Sequence, residues 1–99
     1  MTVKLKDVIA SFNLKDAKQI GSKQLFTGYS ELYKCNVYIS YCTIIAFKDG
    51  DTWWMTAEKY SVTTSRHKNE IKKMEKNVII HDNYDFRVRL DRLAMLSLL

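Results

Sequence analysis

Residues 39–69, ISYCTIIAFKDGDTWWMTAEKYSVTTSRHKN, decide the fold class. They read as strand, tight turn, strand and then a hydroxyl-rich entry into a basic helix. Asp49-Gly50 lies between apolar, β-branched and aromatic runs, and Asp-Gly suits a two-residue type I′ loop in which both central residues take positive φ. That turn predicts Lys48 facing Asp51, Phe47 facing Thr52, Ala46 facing Trp53, Ile45 facing Trp54 and Ile44 facing Met55. Both faces of this ribbon carry large apolar groups, which places it in the middle of a sheet.

After Lys59 the periodicity changes. The run Tyr60-Ser61-Val62-Thr63-Thr64-Ser65 sets short oxygen acceptors ahead of RHKNEIKKMEK, where they can satisfy the unpaired N–H groups of a helix start. His67, Ile71, Met74 and Val78 then recur at helical spacing and form the inward stripe. Arg66, Asn69, Lys73 and Lys76 lie opposite, with Lys68 and Lys72 on the flanks. His67 is expected on the core side, hydrogen-bonded to a hydroxyl or carbonyl.

The combination Ser40-Tyr41-x-Thr43-x-Ile45-Ala46, followed by Tyr60-Ser61-Val62-Thr63-Thr64-Ser65-x-His67, resembles a family of small uncharacterised proteins encoded by bacteriophages and other mobile elements. The match covers about a third of the chain. The resemblance implies a phage origin; it implies no catalytic residues and no mechanism. Within it, Tyr60, Ser61, Thr63, Thr64, Ser65 and His67 form the specific part, read here as a structural motif.

Ninety-nine residues, 46% hydrophobic and 27% charged, suit one domain spanning residues 1–99. No apolar run approaches the ~20 residues of a membrane span. The N-terminal MTVKLKDVIASFNL lacks the apolar core and cleavage site of a signal peptide, so a cytoplasmic location is expected. Two cysteines, Cys35 and Cys42, do not make a disulfide framework. Together with His67 and His81 they would supply four zinc-type ligands, but at none of the usual paired spacings, and no metal or cofactor is expected.

Outside the central stretch, Leu5, Val8, Ile9 and Phe12 mark a first helix over 2–12 with Thr2 as its cap. Asn13 to Ser22 reads as connecting chain. Residues 23–33 read as a strand with Leu25, Thr27, Tyr29 and Tyr33 on one side, Phe26 and Leu32 on the other, and Gly28 at a bulge. Lys34-Cys35-Asn36 is the expected turn, and Val37 to Lys48 the next strand. Residues 77–81 read as a short strand. Residues 84–90 fit either strand or helix periodicity; the helix formers in LDRLAMLSLL and a cap at Asp82-Asn83 favour a helix from about 83 to 97. Its Leu-rich end reads as core packing, with a homodimer contact as the alternative. The expected architecture is α+β: a small antiparallel sheet of three to four strands, built on the Asp-Gly hairpin, packed with two to three helices.

The net charge of +5 sits on residues 1–24 and 64–76, each carrying a net +3. A nucleic acid or acidic partner would use Arg66, Lys68, Lys72, Lys73 and Lys76. Trp53, Trp54 and the tyrosines read as sheet and core residues more readily than as base-stacking platforms. Ser61, Ser65, His67, His81 and Asp82 do not form a nucleophile elbow, a phosphate-cradling loop or a His-Glu metal motif, so catalysis is not expected. Two functions remain: a phage-encoded, inhibitor-like factor that binds a host or defence protein, and a small basic nucleic-acid-binding module.

Overall fold

The structure is a computed structural model that describes residues 2–21 and 23–96. Among the described residues three helices and six strands follow in the order α1 (Leu5–Phe12), β1 (Leu14–Gln19), β2 (Leu25–Ser30), β3 (Cys35–Ser40), β4 (Thr43–Asp49), β5 (Thr52–Thr56), α2 (Val62–Met74), β6 (Val78–His81) and α3 (Asn83–Leu96). The fold is α+β. All six strands join one sheet in sequence order, β1 to β5 as an antiparallel meander and β6 parallel to β5. A parallel neighbour needs a crossover, and α2 supplies it.

The sheet separates two apolar layers. On one face Val8 of α1 and Phe86 and Leu90 of α3 pack with Phe26, Val37, Ile39, Ile44 and Phe47. On the other, Ile71 of α2 packs with Leu25, Tyr38, Ile45, Ala46, Trp53 and Met55. Phe26, Phe47 and Phe86 are fully buried, a contribution of roughly 1.5–3 kcal/mol for each such side chain. The adjacent residues Ile45 and Ala46 share a face because the β3–β4 register shifts between Tyr38 and Ile39. Such a bulge sets two residues of one strand against one of its neighbour.

Six strands replace the three to four expected. Residues 14–19, read as connecting chain, form β1, a mostly exposed edge strand that needs no strong apolar alternation. The strand expected over Val37 to Lys48 is two strands, because Ser40 pairs with Thr43 across a Tyr41-Cys42 turn. Tyr41 has φ +57° there, and its N–H donates to the Gln24 carbonyl at 2.9 Å. The turn moves from 34–36 to residues 31–34, leaving Cys35 and Asn36 in β3 and Leu32 exposed in the loop. Gly28 sits in regular register opposite Val37; the bulge lies across from it in β1, between Lys15 and Lys18.

The central hairpin also differs in register. Asp49 faces Thr52, Lys48 faces Trp53, Phe47 faces Trp54 and Ala46 faces Met55, so the loop is Gly50-Asp51. Positive φ at Gly50 (+65°) and not at Asp51 is the pattern of a type II′ loop, which takes glycine first. Both registers keep every side chain on the same face, so apolar patterning does not choose between them. Aromatic pairing does: Phe47 stacks on Trp54 at 5.6 Å and meets Phe86 at 4.9 Å.

Helix boundaries shift less. The first helix begins at Leu5, and Lys4, not Thr2, is its N-cap residue, with no side-chain cap bond. It closes at Asn13 in the left-handed region, a conformation asparagine tolerates. Residues 83–96 are helical, settling the ambiguity in the C-terminal segment, and Asp82 Oδ2 accepts from the Tyr84 and Asp85 N–H groups at 3.1 and 3.4 Å. Phe86, Leu90 and Leu93 face the core, whereas Ser97 and the two leucines after it lie outside the described residues.

Candidate functional site

Two regions of the motif-bearing stretch come together, and they differ in character. The first is a buried cluster between β3 and the start of α2. Ser61 caps α2, its Oγ accepting from the Thr64 N–H at 3.1 Å. Thr64 Oγ1 lies 3.1 Å from Ser40 Oγ, and Ser40 Oγ lies 2.7 Å from His67 Nδ1. Ser40 and His67 are each only 3% exposed. The Tyr41 ring approaches His67 at 6.0 Å. Burial, followed by the nearby Lys23 charge, lowers the His67 pKa, with Glu70 opposing in part, so the ring is held neutral. This arrangement can pin the first turns of α2 to β3 and satisfy its own polar atoms; its serine and histidine do not reach solvent.

The remaining motif residues play separate parts. Tyr60 is exposed and its hydroxyl accepts from Arg87 Nη2 at 2.9 Å. Thr63 is half-buried, and exposed Ser65 donates from Oγ to the Ser61 carbonyl at 3.2 Å. Ser40 is the member that residue-type reasoning alone left out. Its signal was the motif pairing Ser40-Tyr41 with the later hydroxyl run, together with inward alternation alongside Tyr38.

The second region is a shallow groove on the outer flank of α2. The α2 residues Ser65, Lys68, Asn69 and Lys72 line it with Lys59, with Thr56 and Ile80 from the sheet and with Ala57 just past β5, enclosing about 240 Å³. Lys68 Nζ donates to the Glu58 carbonyl, and burial together with the neighbouring Lys72 lowers its pKa. The five basic residues anticipated as a binding face do not converge. Lys68 and Lys72 share this groove, and Lys76 lies beyond the end of α2 beside a different one, with Lys48, Asp51, Trp53, Met74, Glu75 and Asn77. Arg66 and Lys73 are exposed on α2 and line neither. Met74, expected on the inward stripe, is 43% exposed because the helix stops there.

Beside this groove lies the exposed end of the sheet. Ile79 and Ile80 of β6 are each 51% exposed, and Tyr84, Val88 and Met95 of α3 stand open to solvent. Those three α3 residues recur at i, i+4 and i+11, opposite Phe86, Leu90 and Leu93. Sequence reasoning missed this surface, since the same residues pass for core positions until the sheet order is known.

Cys35, Cys42, His67 and His81 do not assemble. Cys35 is buried with its thiol pushed up to about 12 by burial, Cys42 is exposed, and His81 stacks on Trp54 with ring centroids 3.6 Å apart. Among the described residues no three histidine, cysteine or acidic side chains are grouped to hold a metal ion. No described helix is long and apolar enough to cross a membrane.

No curated protein and no solved structure matches the chain. The chain belongs to the family of unknown function DUF8033, whose pattern runs from residue 7 to residue 86 and takes in the elements from α1 to the start of α3.

Proposed function

We propose that the protein is a non-enzymatic, phage-type accessory factor that binds a host or defence protein in the host cytoplasm and modulates it, as an inhibitor does. The observation that carries this reading is the number of large apolar side chains left exposed on β6 and α3: Ile79 of β6, Tyr84, Val88 and Met95 along the outer side of α3, and Ile80 in the α2 groove. Exposed apolar patches rimmed by polar residues mark interaction sites on water-soluble proteins. The hydroxyl–histidine cluster supports the same reading, because Ser40 and His67 spend their hydrogen-bonding capacity on each other and on Thr64. The phage origin rests on the resemblance of the Ser40-Tyr41 and Tyr60–His67 motifs.

Affinity capture from a bacterial lysate, with and without nuclease, tests the proposal when the unaltered chain is compared with Tyr84→Asp/Val88→Asp. Both residues are exposed, so the double variant should keep its circular dichroism spectrum. A protein that is retained after nuclease treatment and lost with the variant is the expected result. Nuclease-sensitive capture, with retention on heparin that falls steeply with salt, would instead establish a nucleic-acid-binding module acting through Lys68 and Lys72.

A further inference from the structure

We propose that the outer edge of β6 accepts an extended acidic peptide segment of the partner as an added strand, laid in the groove between β6 and α2. This rests on the protein-binding reading above and names the shape and charge of what is bound. Sheet order leaves β6 last, with no strand beyond it among the described residues. The Asn77 and His81 carbonyls accept from the Trp53 and Ala57 N–H groups of β5 and its extension. Backbone direction alternates along a strand, so the N–H and C=O groups of Val78 and Ile80 point the other way, outward. Edge strands are commonly blunted by charge or proline, yet β6 reads Val-Ile-Ile-His.

The groove decides what chemistry fits. Lys59, Lys68 and Lys72 line it beside Ile80. The ion pairs of the described residues join Lys15 to Glu31, Lys23 to Glu70 and Arg89 to Asp49, so none of the three groove lysines is paired with a carboxylate. Burial first and then the neighbouring Lys72 lower the Lys68 pKa, with Glu58 opposing in part. In an antiparallel added strand, residues opposite Val78 and Ile80 share their face, which is the α2 side, because Val78 packs with the Ile71 layer. Those positions suit aspartate or glutamate. The alternate positions lie on the other face beside half-exposed Ile79 and suit apolar side chains. The match is thus to an alternating acidic and apolar strand, the mode in which main-chain bonds give affinity and alternate side chains give specificity. A second copy of this chain fits poorly, since β6 pairing with β6 about a twofold axis would set the same lysines against one another.

The test uses the isotope-labelled full chain, a short synthetic peptide alternating glutamate and valine, one alternating lysine and valine, and a single-stranded oligonucleotide. The glutamate peptide should bind and slow exchange of the Val78 and Ile80 amide protons by about tenfold or more. The lysine peptide should not. Lys72→Glu should weaken binding by about tenfold or more, and Ile80→Pro should abolish it with the fold retained, because the Ile80 N–H makes no bond within the sheet. Binding without slowed exchange at Val78 and Ile80, or equal exchange protection by the oligonucleotide, overturns strand addition. Loss of the lysate partner with Tyr84→Asp/Val88→Asp but with neither Lys72→Glu nor Ile80→Pro also overturns it and leaves the protein-binding reading standing. Nuclease-sensitive capture overturns that reading itself.

Discussion

Ser40 Oγ and His67 Nδ1 lie 2.7 Å apart, joining the last residue of β3 to the second turn of α2 across a gap of 27 residues in sequence. Both side chains are buried, so either one left alone becomes an unsatisfied polar group. Ser40→Ala should cost about 1–3 kcal/mol of folding stability, read by chemical denaturation. His67→Gln should retain most of it, and His67→Asp should lose it by burying an unpaired charge.

The same pair predicts a pH dependence. The folded-state pKa of His67 is lowered, so the unfolded chain binds more protons as pH falls below the ordinary histidine value of about 6.5. Stability should be at its full value above that point and should decline from there down towards the lower folded-state value. A melting series from pH 7.5 to 5 should show this decline in the unaltered chain and a weaker one in His67→Gln. Equal slopes would show that His67 does not carry the effect.

Two glycines should respond to substitution for different reasons. At Gly50, φ is +65° and an added Cβ would meet nothing within 4 Å, so Gly50→Val should be penalised by backbone strain, about 1–2 kcal/mol. Gly28 has ordinary φ, but a Cβ there would come within 3.1 Å of Ala17 Cα and 3.2 Å of the Lys15 carbonyl. Gly28→Ala should therefore loosen the β1 bulge, seen as faster amide exchange confined to β1 and β2.

Arg89 of α3 grips the β4–β5 turn by a forked contact, Nε to Asp49 Oδ2 at 2.8 Å and Nη2 to Oδ1 at 3.2 Å. Both side chains keep partial exposure, which limits the interaction to about 0.5–1 kcal/mol. A double-mutant cycle with Asp49→Asn and Arg89→Gln should return a coupling energy of that size, reduced by added salt.

His81 stacks on Trp54 with an interplanar angle of 13°, while its Nε2 is buried without a hydrogen-bond partner among the described residues. Replacing the ring by an apolar one of similar shape removes the unsatisfied nitrogen and keeps the stacking. His81→Phe should leave the melting temperature unchanged or raise it. A marked loss would mean that Nε2 has a partner in solution.

Much of the chain's local architecture was determined by the sequence alone. The Ser61 cap of α2, the Asp82 cap of α3, the short strand around Val78–His81 and the apolar ribbon in the sheet interior all follow from short-range chemistry that acts within a few positions, although α2 starts at Val62 and takes Thr63, Thr64 and Ser65 into its first turn instead of leaving them ahead of it. Tertiary structure decided the rest. β1 is a polar edge whose strand form comes from pairing with β2, and its residues show little alternation of their own. The break at Tyr41-Cys42 needs Tyr41 at positive φ, held by the Gln24 carbonyl from another loop. The hairpin register preserves side-chain faces either way, so the glycine-first turn and the stacking of Phe47 on Trp54 against the distant Phe86 of α3 select it. The meeting of Ser40 with His67 and the exposure of the β6 edge beside Lys68 and Lys72 likewise depend on where α2 crosses the sheet, a long-range outcome that no local pattern encodes.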